Sequence, residues 1–188
     1  NNAIVELCMF LPEDENSVDG NIIVSREIYS NGRNLCKING RLVTVSELKS
    51  FMINVIEDKA LKPVIARKVL EALTEWFEVE ESREGYINDC KDWIFLAAEE
   101  DGEYVGFLCL KQTGNATVEL AVMGVMKDYH RNGIGRQLVE KAKEIAHSEG
   151  YSFMQVKTVQ MGVYEDYDIT NRFYISCGFK EFEVFPMH

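Results

Sequence analysis

Hydrophobic and polar positions change rhythm near residue 50. Residues 3–11 (AIVELCMFL), 21–29 (NIIVSREIY) and 35–38 (LCKI) are short strand-forming runs, separated by the turn-rich stretch 12–20, Asn31-Gly32 and Asn39-Gly40. Asn-Gly tolerates positive φ at both positions and is a strong hairpin signal. The pattern predicts a three-stranded meander, followed by a short helix in RLVTVSELKS capped by Thr44 or Ser46. A meander of that size buries little by itself and needs a neighbour.

Beyond Met52 the pattern alternates strands with helices. Residues 53–58 read as a strand. Residues 63–77 have helical spacing with Val64, Ile65, Val69, Leu70, Leu73 and Phe77 on the apolar face, and a second helix falls in 81–90. DWIFLAAE, EYVGFLCLKQ and ATVELAVMGV follow as three strands joined by short turns at Glu100-Asp101-Gly102 and Thr113-Gly114-Asn115. Residues 134–149 form a helix with Leu138, Ala142, Ile145 and Ala146 inward and Gly150 as its C-cap. YSFMQVKTV, reached through that helix, is expected parallel to its neighbour. A short helix over 170–177 and a last strand, FKEFEVF, complete the reading.

With 46% hydrophobic and 27% charged residues, the chain has the balance of a globular protein. No apolar run is long enough to span a bilayer, and the first residues carry no secretory pattern, so no membrane partner is expected. Five scattered cysteines with no C-x-x-C pair read as reduced thiols of a cytoplasmic protein, and the spacing of the three histidines suggests no metal site. A net charge of -11 disfavours nucleic acid and suits a cationic substrate such as a polyamine, an aminoglycoside or a basic tail.

The candidate chemistry centres on His130-Arg131-Asn132-Gly133-Ile134-Gly135, which opens the long helix. A helix start offers unpaired N–H groups and the positive end of the dipole, and glycine lets a phosphate approach the backbone. Arg131 and Arg136 add positive charge, with no acid between Asp128 and Glu140. This segment resembles the [QR]-x-x-G-x-[GA] signature of the GNAT acetyltransferases, with His130 in the place of Gln or Arg. The order of elements agrees over about two-thirds of the chain.

The resemblance implies an α/β (α+β) fold, with a mixed, mostly antiparallel sheet flanked by helices over residues 52–188. It implies acetyl-CoA as cosubstrate and transfer of acetyl to a primary amine of a small molecule or peptide by direct attack. It assigns coenzyme A binding to Met123, Val125, His130, Arg131, Asn132, Gly133, Ile134, Gly135, Arg136 and Asn171. Glu119 stands fourteen residues before Gly133 on a strand, where the family's glutamate base lies. Tyr174 stands four residues before Gly178-Phe179, where the family's general acid lies. The connection over 158–174 carries Tyr164, Glu165, Asp166, Tyr167 and Asp168, which would line an acceptor entrance or form a solvated loop. Trp76 and Trp93 are read as core or domain-contact residues.

Residues 19–50, DGNIIVSREIYSNGRNLCKINGRLVTVSELKS, resemble part of the ATP-binding head of RecN, an SMC-like bacterial DNA-repair ATPase. No G-x-x-x-x-G-K-[ST] occurs, so residues 1–51 are read as a structural fragment without ATP turnover. The family's seventh strand also has no counterpart before His188. AIVELCMFL is the candidate to cover that edge, and its exchange between copies would make a homodimer. Two other readings are a degenerate module that binds acyl-CoA or a protein without turnover, and a DNA-repair accessory.

Overall fold

A computed structural model of the chain describes residues 3–10, 21–32, 34–43 and 52–185. The proposed helix with Thr44 or Ser46 as cap, the stretch 12–20 and residues 186–188 lie outside these. The chain divides into two compact units, residues 1–50 with Arg131–Gly133, and residues 51–130 with 134–188.

The first unit is an antiparallel sheet of four strands in sequential order: β1 Ala3–Phe10, β2 Asn21–Ile28, β3 Asn34–Ile38 and β4 Arg41–Val43. The fourth strand corrects the three-stranded reading. Asn39 and Gly40 both take positive φ, 48° and 80°, and close a two-residue hairpin that brings Arg41 opposite Ile38. β1 pairs with β2 along its whole length, Ala3 opposite Ile28 to Phe10 opposite Asn21.

The second unit has the order β5 Met52–Val55, α1 Leu61–Glu71, α2 Glu80–Asp89, β6 Ile94–Glu100, β7 Glu103–Gln112, β8 Thr117–Val125, α3 Ile134–Ser148, β9 Phe153–Val156 and α4 Glu165–Ser176. Its sheet runs β5-β6-β7-β8-β9. The first three pairings are antiparallel, and β9 lies parallel to β8 because α3 carries the chain back across the sheet. Gly150, at φ 84°, ends α3, and the Tyr151 N–H returns to the Ala146 carbonyl.

Several boundaries differ from the sequence reading. α1 stops at Glu71, and Trp76 and Phe77 turn back with N–H bonds to the Leu73 carbonyl. Val64 is exposed rather than on the buried face. α4 begins at Glu165, not at 170, because Glu165, Asp166 and Asp168 supply the negative charge that favours a helix N-terminus. Residues 179–185 form no strand, and Phe182 and Phe185 are exposed. The alternation of FKEFEVF suits a strand, but among the described residues β8 is the only partner of β9, and no strand continues the sheet beyond it.

Two cores lie on the two faces of this sheet. Ile65, Val69 and Leu70 of α1 and Leu73 of the turn after it pack with Phe95, Phe107, Cys109 and Val122. Leu138, Val139 and Ala142 of α3 and Tyr174 of α4 pack with Leu96, Leu108, Leu110, Val118 and Leu120. On β8 the faces switch between Leu120 and Val122. Leu110 pairs with Leu120 and Cys109 with Val122, leaving Ala121 as the extra residue of a β-bulge. Beyond it, Gly124 faces α1 and the turn after it so closely that an added Cβ would lie 2.9 Å from Leu73 Cδ1 and 3.0 Å from Val69 Cγ1. Gly124→Ala should therefore lower stability by about 1–3 kcal/mol, as overpacking does. An unchanged urea midpoint would show that α1 yields freely.

Candidate active site

The bulge sets where β8 stops being a shared strand. β9 pairs with β8 only from Thr117 to Leu120, so along residues 121–125 the side of β8 away from β7 has no strand partner among the described residues. The chain then turns through Lys127–Tyr129 into the segment before α3. Arg131 and Gly133 both lie in the left-handed region, at φ 61° and 82°. A backbone that alternates right- and left-handed residues can turn successive N–H groups to one side, the geometry of an anion-binding concavity. The first N–H groups of α3, from Ile134 onward, have no acceptor within the helix.

The residues around this loop hold each other closely. His130 Nε2 lies 2.6 Å from the Val125 carbonyl oxygen, so the ring nitrogen donates there. The His130 ring also sits edge-on to Trp76, with centroids 6.2 Å apart. An added Cβ on Gly135 would lie 3.2 Å from Phe173 Cζ and 3.7 Å from Met123 Cε. Gly135 thus allows α4 to close against α3. Arg136 donates to the Ser176 carbonyl at 3.1 Å and to its hydroxyl at 3.0 Å, and Lys143 donates to the Cys177 carbonyl at 2.6 Å. Both cations complement the negative C-terminal end of α4.

Residues 65–179 match the Acetyltransferase (GNAT) family model. The chain belongs to the GNAT acetyltransferase family. An uncharacterised N-acetyltransferase of Chlorobaculum tepidum is 28% identical over 109 residues, which are 58% of this chain and 63% of that protein. The chain therefore spans less than two-thirds of that relative's length. An aminoglycoside acetyltransferase from an uncultured soil metagenomic sample superposes with a TM-score of 0.57 at 24% identity, over 74% of this chain and 97% of its own. AAC(6')-Iy, bound to a bisubstrate analogue of coenzyme A and acetylneamine, gives 0.57 at 15% identity over the same shares. At these identities the likeness is one of fold.

Within the GNAT sheet, Glu119 and Tyr174 lie on opposite faces of β8. Val118 and Leu120 share the core of Tyr174, so Glu119 between them faces the side of α1 and α2. Its carboxylate, largely buried, receives the Lys157 ammonium at 2.7 Å and the Gln155 amide at 3.0 Å. Tyr174 is packed between Phe173 and Phe179, with ring centroids 5.5 and 5.7 Å away. Gly178, at φ 93°, ends α4, and the Phe179 N–H returns to the Tyr174 carbonyl at 3.1 Å. That closure gives the Tyr-x-x-x-Gly-Phe spacing a local cause. The Asn171 amide donates to the Val159 and Tyr167 carbonyls, both at 2.9 Å, and so ties the 157–164 connection to α4.

Sequence reasoning missed Gln155, Lys157 and Phe173. The parallel register of β9, which sets Gln155 opposite Glu119, was the signal available for the first two. Trp76 and Trp93 are partly buried against the α1 core, in keeping with their expected packing role. Among the described residues, no group of His, Cys, Asp and Glu is placed to hold a metal ion. Burial pushes the Cys90 thiol up to about 11 and the Cys109 thiol well above its usual value, so neither offers a thiolate at neutral pH.

Burial, then the neighbouring Cys177, pushes the Tyr174 phenol up to about 12. A raised pKa contributes stability that is complete below about pH 10 and is lost as pH rises through about 12. The phenolate absorbance difference between the wild type and Tyr174→Phe should have its midpoint near 12. A midpoint near 10 would mean that the phenol is solvated.

Proposed function

We propose that this GNAT domain is an N-acetyltransferase that moves acetyl from acetyl-CoA to a primary amine of a small-molecule or peptide acceptor, by direct attack in a ternary complex. The observation carrying this is the left-handed loop at Arg131 and Gly133, opening α3 beside the unpaired stretch of β8. Unpaired N–H groups at Ile134, Gly135 and Arg136, with Arg131 and Asn132, would hold a pyrophosphate. The backbone of Met123 and Val125 would align the pantetheine arm, and the free oxygen of Asn171 would steady it. When bound, acetyl-CoA supplies an activated acyl group on a thiol leaving group.

The chain's own residues then manage two protons. Glu119 takes one from the acceptor ammonium, directly or through water, and Tyr174 Oη holds the other for the leaving sulfur. Their placement on opposite faces requires the opening beyond Leu120, where β8 has left β9. Retention of the phenol proton at neutral pH suits Tyr174 to the acid role. Free thiols and a net charge of -11 accord with a cytoplasmic enzyme of cationic small molecules. We also read residues 1–51 as a separate RecN-like module, and the edge of β9, which has no further strand partner among the described residues, as the place where a strand from a second copy would pair.

Glu119→Gln should lower kcat by about 10²–10⁴-fold and remove the acid limb of the pH–rate profile. Tyr174→Phe should lower kcat with little change in acetyl-CoA affinity. Steady-state kinetics on an amine panel, with calorimetry of acetyl-CoA binding, checks both, and wild-type turnover in either variant would remove that residue's role.

One observation favours a module that binds without turnover. The His130 ring already occupies the Val125 carbonyl, which the pantetheine arm would otherwise use. If that contact competes with the ligand, His130→Ala should bind acetyl-CoA more tightly. Weaker binding would instead make the ring a support for the loop.

A further inference from the structure

Glu119 does not stand alone on its face of the sheet. Lys111 lies directly opposite it on β7 and Gln155 opposite it on β9. All three side chains project toward the α1 and α2 face. The Lys157 ammonium is 2.7 Å from the Glu119 carboxylate, which is 13% exposed, whereas Lys157 itself is 73% exposed. The Lys111 ammonium lies over the Trp93 ring, 5.4 Å from its centroid. A largely buried carboxylate and an aromatic face, on either side of Lys111 on one sheet surface, are two features that recognise ammonium groups. In this structure the protein's own lysines satisfy both.

We propose that Glu119 and Trp93 form the acceptor's ammonium subsite, and that Lys157 and Lys111 are resident occupants which a diamine or polyamine displaces. The inference rests on Glu119 receiving the acceptor ammonium, as in the function proposed above. It adds a substrate class and a specificity determinant. An acceptor must exchange its own ammonium for that of Lys157, and a second cationic centre gains the Trp93 face that a monoamine leaves to Lys111. Lys157 is mostly solvated, so releasing its ammonium from Glu119 costs little. No bond is made or broken in the exchange; one ammonium ion replaces another.

The test uses the whole chain with spermidine and butylamine as probes. Lys157→Met should lower KM for spermidine by about two- to fivefold, the range an exposed ion pair sustains, and Lys157→Arg should restore the wild-type value. Trp93→Leu should raise KM for spermidine more than for butylamine. Calorimetric titration of spermidine gives the same comparison without turnover. An unchanged or raised KM in Lys157→Met, with Glu119→Gln inactive, would overturn the resident-cation proposal and leave the base intact. Full activity in Glu119→Gln would overturn the base assignment and this subsite with it.

Discussion

A single extra residue in β8 organises the second unit. With Ala121 paired in regular register, strict alternation would send Val122 and Gly124 to the α3 side, and Met123 and Val125 to the α1 side. The bulge exchanges them. Val122 then joins the α1 core, Gly124 lets Val69 and Leu73 approach the strand closely, and Met123 reaches the start of α3 beside Gly135 and Phe173. The same irregularity comes where β9 pairing ends, so the strand changes from a fully bonded member of the sheet to a half-open one within a few residues. A sheet face buried by helices on both sides would otherwise offer no unpaired backbone to a ligand.

The start of α3 depends in turn on how α4 is held. Arg136 and Lys143, two turns apart on α3, both donate to carbonyls at the end of α4. Each bond satisfies a group that a helix end leaves without an acceptor or donor, and each places a cation at the negative end of a dipole. Gly178 completes the closure by folding Phe179 back on Tyr174. The phenol is consequently fixed by packing and by backbone bonds, and its raised pKa follows first from that burial and then from the neighbouring Cys177.

What could be read from the sequence was whatever is decided locally. The two hairpin turns at Asn39-Gly40 and Asp101-Gly102 announce themselves, because positive φ is required at both positions. The apolar stripe of α3 and its stop at Gly150 are equally local, and so is the parallel direction of β9 after a helical crossover. The bulge of β8 was not legible, because its position at Ala121 depends on register with β7, which no pattern within β8 encodes. α4 was read five residues short, because its acidic first turn looks like a solvated loop unless the helix dipole is considered. FKEFEVF shows the opposite failure: a strand pattern is only a capacity to pair, and the described sheet offers it no neighbour.

The same distinction applies to the charges of the site. Reading along the sequence, Arg136 counts as a cation for phosphate and Asn171 as a polar contact for the ligand, because type and spacing are all that is visible. In the folded chain the guanidinium and the amide hydrogens have protein partners, which ties them to the position of α4. They shape the loop whether or not they touch a ligand, so their removal would act first through geometry. The left-handed backbone at Arg131 and Gly133 is different in kind. Positive φ at a non-glycine residue such as Arg131 costs conformational energy, and that cost is a feature of the segment which residue type and spacing along the sequence do not reveal.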